Sequence, residues 1–191
     1  MRAGTRNGTR RVRAMLRIGT LEMLRVLVIW ALLLFALEGL TGQGVTGDYN
    51  GRTAPSAGGI HPLRLHVVAG RVDGLDAGVY RYIPADHELK PLAPGDQRQI
   101  LRDATGNQEC LGEGAADIVI GAEGAATLER YGERGGRYLH MEAGHVAQNI
   151  CLQATTLGLA TTTVAAFNDE SMMQAACFGE GEIALYAIPV G

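Results

Sequence analysis

Cysteine, lysine and aromatic side chains are scarce in this chain, and each scarcity argues against a class of function. Only Cys110, Cys151 and Cys177 occur, far apart, with neither a CxxC pair nor an even count. That pattern argues against a disulfide scaffold and a cysteine zinc site, and makes a reducing, cytoplasmic setting the natural reading. Lys90 is the single lysine, so Schiff-base chemistry would have to run through it, and its setting, Glu88-Leu89-Lys90-Pro91, reads as a solvated strand. No Gly-x-Gly-x-x-Gly follows a strand, so no separate dinucleotide-binding module is expected. Ser56 lacks the Gly-x-Ser-x-Gly elbow of a hydrolase nucleophile, although His61 and His66 are available as bases. His140 and His145 stand about 140° apart around a helix, whereas two metal ligands on one face need i, i+4 spacing; no metal site is expected.

Acidic charge dominates the body of the chain. Residues 1–25 hold seven arginines against Glu22 alone, a balance of +6, so with a total of -3 the remainder carries -9. A generally acidic body argues against a nucleic-acid surface, and the basic arm is too short and too poor in aromatics to change that. The arm reads as a solvated, disordered tail. Behind it lie twelve uninterrupted apolar residues, 26–37, which as a helix rise about 18 Å against a hydrocarbon layer of about 30 Å. They read as a buried helix, with a signal or membrane-anchor segment as the alternative.

With 191 residues and 47% hydrophobic content, residues 26–191 suffice for a single domain with a sizeable core. Leu65 and Val67 alternate with Arg64 and His66 in a strand stopped by Gly70. Short strands over 79–83 and 87–92 complete an antiparallel meander. A short polar helix is expected over 95–104, a buried strand over 116–121 and a helix over 122–133. The longest helix is marked by Ala143, Val146, Ala147, Ile150, Ala154 and Leu157, an apolar stripe ended by Gly158. Residues 161–167 are β-branched and strand-like, and 182–190 give a final strand. Helices around a sheet make an α+β fold, with neither repeat nor linker to divide it.

The segment Arg52-Thr53-Ala54-Pro55-Ser56-Ala57-Gly58-Gly59-Ile60-His61-Pro62 combines two fixed prolines with two glycines that let a ligand approach the main chain. This stretch resembles the Pro-Ser-Ala-Gly-Gly loop of the nitroreductase superfamily, in its SagB/ThcOx-type dehydrogenase branch. Three further stretches match in order: Gly78-Val79-Tyr80-Arg81-Tyr82 with His87-Glu88-Leu89, Gly144-His145-Val146-Ala147-Gln148-Asn149-Ile150 with Leu157-Gly158-Leu159, and Ile188-Pro189-Val190-Gly191.

The resemblance implies a nitroreductase-like fold, a central, mostly antiparallel sheet with helices packed on it and one long central helix. It also implies an FMN-dependent oxidoreductase that moves a hydride through flavin N5 and works as a homodimer. NAD(P)H would serve as a transient electron donor, and the substrate would be a small molecule or a modified peptide. By the same resemblance Arg52, Pro55, Ser56, Ala57, Gly58 and Gly59 hold the flavin ring from one side, and the backbone of Ala165 and Ala166 approaches N5. The helix stripe is expected at the twofold interface. No side chain is assigned as catalytic, because the ring itself carries the electrons. Two departures stand out. Arg10-Arg11-Val12-Arg13 only loosely echoes the family's Arg-Arg-Ser-x-Arg phosphate contacts, and no basic residue follows Gly191. A phosphate wants charge-assisted partners, so a non-catalytic partner subunit with weak flavin binding is the alternative.

Overall fold

The structure, a computed structural model, describes residues 52–191. The basic arm and the apolar run 26–37 lie outside the described residues. Among those described, no helix is long and apolar enough to cross a membrane.

Five antiparallel strands form one sheet in the order β3-β2-β1-β4-β5. In chain order these are β1 (Leu63–Ala69), β2 (Gly78–Ile83), β3 (Glu88–Pro94), β4 (Ala116–Glu123) and β5 (Glu182–Val190). Between β3 and β4 runs α1 (Arg98–Ala104). After β4 come α2 (Ala125–Tyr131), the long α3 (Arg134–Thr156) and α4 (Asp169–Ala175). The expected meander is β1-β2-β3, and the whole is α+β with helices on both faces of the sheet. β4 runs two residues past its expected end because Ala122 and Glu123 keep pairing with Leu63 and β5.

α3 covers one face. Leu139, Ala143, Val146, Ala147, Ile150 and Ala154 pack there against Leu65, Val67, Ile118, Ile120 and Ile188. On the opposite face Leu101 and Ala104 of α1, with Met172, Ala175 and the adjoining Ala176, cover Val68, Val79, Val119 and Ala187. The apolar stripe of α3 is thus spent inside the protomer and is not the twofold interface expected for it. Small residues at 143, 147 and 154 let the helix backbone approach the sheet.

Burial is double-sided at β1. His66, which alternates with Leu65 and Val67 and so lies on the other face, is buried too, at 1% exposed, because α4 and the turn after it close that face. His66 Nδ1 lies 2.6 Å from the Ala176 carbonyl and its ring stacks on Phe178 at 4.1 Å. Burial lowers its pKa, so the ring is neutral and Nδ1 carries the donated proton. Phe178 reaches this position across Gly121, where a Cβ would stand 2.3 Å from the Phe178 ring and 2.7 Å from the Ile183 carbonyl. Gly121→Ala should therefore destabilise the protein by about 1 to 3 kcal/mol, a cost of overpacking that denaturant titration would measure.

Residues 161–167 do not form the expected strand. They touch the free edge of β5 only at Thr161↔Val190 and Val164↔Ala187. Val164 and Ala187 exchange both amide bonds (2.8 and 2.9 Å), as do Ala160 and Gly191 (2.7 and 3.2 Å). Midway, residue 162 falls opposite Pro189, which has no N–H to give, and the Thr161 hydroxyl donates to the Pro189 carbonyl instead, at 2.7 Å.

Candidate functional site

The loop 52–62 enters β1 at the end of the sheet where Leu63 faces Ala122. Ala57–Gly59 form a single 3-10 turn, and Gly58, Gly59 and His61 have φ of 62°, 66° and 53°. Neighbouring elements pin this conformation. The Glu123 amide donates to the Pro62 carbonyl at 3.0 Å. The Arg64 guanidinium bonds Glu123 at 2.8 Å and reaches the carbonyl of Leu63 at 3.1 Å. From α2, Arg130 reaches the Gly58 carbonyl at 3.4 Å.

Gly58 is required here on two counts, its positive φ and the closeness of α2. An added Cβ would stand 2.6 Å from the Tyr131 hydroxyl and 2.7 Å from Arg130 Nη1. The space beside this glycine is thus filled by the protein's own side chains. We expect Gly58→Val to reshape the loop rather than merely crowd a ligand, which would appear as faster amide exchange in the loop of the unliganded protein.

Ser56, a candidate ligand by sequence, is engaged within the protein. Its Oγ accepts from the His61 amide at 2.9 Å. Glu142 of α3 is 5% exposed; burial raises its pKa, and Ser56 and the charge of Arg52 offset part of that rise. His61 is lowered by burial and then by Arg52. Arg52 and His61 line a cavity of about 260 Å³ that Leu63, Arg81 and Tyr82 also line. Pro55 is exposed and Ser56 and Ala57 are half-buried. The loop's own turns use the amides of Gly59, Ile60 and His61. Among the described residues this leaves the amides of Ala57 and Gly58 without an acceptor.

Glu142, Arg130 and Tyr131 were missed in the sequence. Glu142 carried a signal, since its spacing from Leu139, Ala143 and Val146 places a carboxyl on the buried face of α3.

Ala165 and Ala166 are both exposed, just past Val164, the last residue bonded to the edge of β5. The protomer does not bring them to the loop. β4 and β5 lie between β1 and that edge, about three strand spacings or ~14 Å across the sheet. Beyond them, at the C-terminal end of β5, a cavity of about 380 Å³ is lined by Glu113, Thr161, Thr162, Pro189 and Gly191 among others, with no cationic side chain among the described residues. Described residues also hold no group of three or more His, Cys, Asp or Glu fit to bind a metal ion.

A model described as the nitroreductase family matches residues 20–191. The chain belongs to the nitroreductase family. It is 38% identical over 148 residues, 78% of this chain and 74% of the other, to MJ1384 of Methanocaldococcus jannaschii, a protein with a nitroreductase designation. To the microcin B17-processing protein McbC of Escherichia coli it is 29% identical over 123 residues, 62% of this chain and 45% of McbC. A crystal structure assigned to the nitroreductases, from Anabaena variabilis, superposes with a TM-score of 0.80 at 23% identity, covering 94% of this chain and 37% of that one. At that identity the likeness shows the fold alone. This nitroreductase-family chain spans less than half the length of McbC and of the Anabaena protein.

Proposed function

We propose that the protein is an FMN-dependent oxidoreductase of SagB/ThcOx type, a homodimer in which the 52–62 loop of one protomer and Ala165 and Ala166 of its partner hold one flavin. The observation that carries this reading is the separation of two exposed, small-residue backbone segments by β4 and β5. One chain presents both halves of a ring site without joining them.

The loop fits a flavin ring. Its two acceptor-less amides, at Ala57 and Gly58, sit where the main chain can be approached, and Arg52 supplies positive charge nearby. When bound, FMN supplies hydride transfer through N5 of its ring. The chain's own contribution is binding and preorganised dipoles: the loop amides face the polar edge of the ring, Arg52 favours negative charge that develops there, and the exposed backbone at 165 and 166 faces N5. Ser56 shapes the loop from within. NAD(P)H would dock transiently over the same ring, and the substrate is a small molecule such as a nitro compound or quinone, or an azoline in a modified peptide. The likeness to McbC supports the peptide option.

The homodimer would use the outward row of α3, where Met141 and Leu152 are each 53% exposed and His145 lies between them. A second reading, a flavin-poor partner subunit, is favoured by the C-terminal cavity, which offers Glu113 and no cation to a phosphate. Absorbance of the purified protein separates the two. We expect flavin bands, or quenching of added FMN fluorescence. Colourless protein that quenches nothing would overturn the first reading.

A further inference from the structure

We propose that the cavity beside the 52–62 loop is an oxyanion subsite, in which Arg52 and Arg81 take the carboxylate or phosphate headgroup of a ligand carried on an apolar stem. This goes beyond the flavin reading and stands without it, because the cavity belongs to one protomer. Its origin is a split in the sheet. β1 and β2 pair only as far as His66↔Arg81. Yet β1 continues along β4 to Leu63, and β2 continues along β3 to Ile83. The two strands part, and the facing edges of 63–65 and 82–83 have no strand partner there. A cavity of about 260 Å³ lies at this gap, and Arg52 and His61, from the two ends of the loop, complete its lining.

Charge selects the ligand. Three arginines and a histidine line the cavity, and no acidic residue does. Arg64 bonds Glu123 at 2.8 Å and the Leu63 carbonyl at 3.1 Å, so its guanidinium braces the wall. Glu182, 7% exposed, lies 3.1 Å from Arg81 and 4.0 Å from Arg64. Among the described residues Arg81 meets only this acid, which leaves most donors of its guanidinium fork unused. No ion pair among the described residues engages Arg52. Set against Glu123 and Glu182, the three arginines therefore leave one positive charge uncompensated. Glu142 also feels Arg52, but burial favours its neutral form. Guanidinium groups match the paired oxygens of carboxylates and phosphates. Leu63, Leu65, Tyr82 and Ile83 make the rest of the lining apolar. At about 260 Å³ the cavity falls below the range of whole-ligand pockets, about 300–1,000 Å³, so it takes a headgroup and the start of its stem rather than an entire cofactor.

The test titrates the full chain with sodium benzoate and with inorganic phosphate, each against sodium chloride at matched ionic strength, and with uncharged benzamide. The readout is the imidazole resonance of His61 and the affinity it reports. An anion beside Arg52 offsets the charge that helps to lower His61, so the titration midpoint of His61 should rise on binding. Arg52→Gln should weaken the anion by about tenfold, the size of one charge-assisted hydrogen bond, at an unchanged melting temperature. Arg81→Gln should weaken it comparably, but it also strips a partner from buried Glu182, so Arg52→Gln is the deciding variant. Benzamide should not bind. The proposal is overturned if neither anion moves His61 beyond chloride, if benzamide binds as well as benzoate, or if Arg52→Gln leaves the anion affinities unchanged. Comparing FMN with riboflavin then identifies the source of the headgroup. A smaller preference for FMN in Arg52→Gln assigns it to the flavin's phosphate, and an unchanged preference assigns it to the substrate. A parent protein that binds neither flavin would end the flavin reading, while the benzoate and phosphate titrations would still decide the subsite.

Discussion

Asp117→Asn should change how the stability of this protein depends on pH, gaining on the parent by about 4 kcal/mol between about pH 4 and pH 7. Asp117 lies on β4 with 0% exposure, and neither carboxyl oxygen has a hydrogen-bond partner of good geometry. Burial raises its pKa to about 7. The Gly112 amide and the Arg98 guanidinium favour the anion and limit the rise, while Asp96 adds to it. The sign follows from linkage: a carboxyl whose folded pKa lies above its unfolded value binds its proton more tightly in the folded state. Its contribution is fully present below the unfolded pKa of about 3.9 and is lost as pH rises through about 7. Asparagine cannot ionise. It brings an unsatisfied amide that costs about 1 to 3 kcal/mol at every pH, so the change in the difference between the two proteins, rather than its value at one pH, is the informative quantity. Glu142, also raised by burial, acts in the same direction in both proteins and cancels. Urea titrations at several pH values would show the two stability curves converging or crossing. Parallel curves would mean that Asp117 is hydrated or paired.

The second large effect concerns the stripe of α3. Ala147→Glu should abolish folding rather than dissociate a dimer. Ala147 is 3% exposed, facing the sheet of its own protomer, and an unpaired carboxyl there costs several kcal/mol, a large share of the 5 to 15 kcal/mol that stabilise a typical domain. Leu152→Glu, on the exposed side of the same helix, should keep the fold and weaken self-association. Circular dichroism and light scattering on the pair give the answer. A folded, monomeric Ala147→Glu protein would return the stripe to the interface.

The strand meander, the buried strand β4, the final strand and the long helix were all legible, because each carries either period-two or period-3.6 patterning over enough residues to stand out. What escaped detection depended on contacts between distant segments. The stripe announced a buried face, but the sequence does not say whether a helix face is buried by its own sheet or by a second copy. The burial of His66 was not legible either, because a strand buried on both faces and a half-buried one differ only in what lies above them. Residues 161–167 had strand composition and lacked only a partner: Pro189, twenty-seven residues away from 162, withholds the amide that pairing needs. α4 was overlooked although Asn168 caps it, its side chain accepting from the Ser171 amide at 2.9 Å with Asp169 and Glu170 in the first turn. Within the candidate site, the loop was visible from its Pro, Ser and Gly residues. Its closure by Tyr131 and Arg130 was not, since those residues meet it only through folding.

The central claim is a flavin shared between two chains, and a mixed dimer tests it most directly. Gly58→Val damages the loop and Ala166→Phe obstructs the segment after Val164, so each homodimer should bind little FMN. Carried on differently tagged chains and purified as a heterodimer, the two variants leave one site with both halves intact and one with both damaged. The account predicts that this heterodimer regains about half the flavin of the parent dimer, because each site draws its halves from different chains. If the heterodimer binds no more flavin than either variant alone, the loop and the segment serve the same site from the same chain, and the shared site is contradicted.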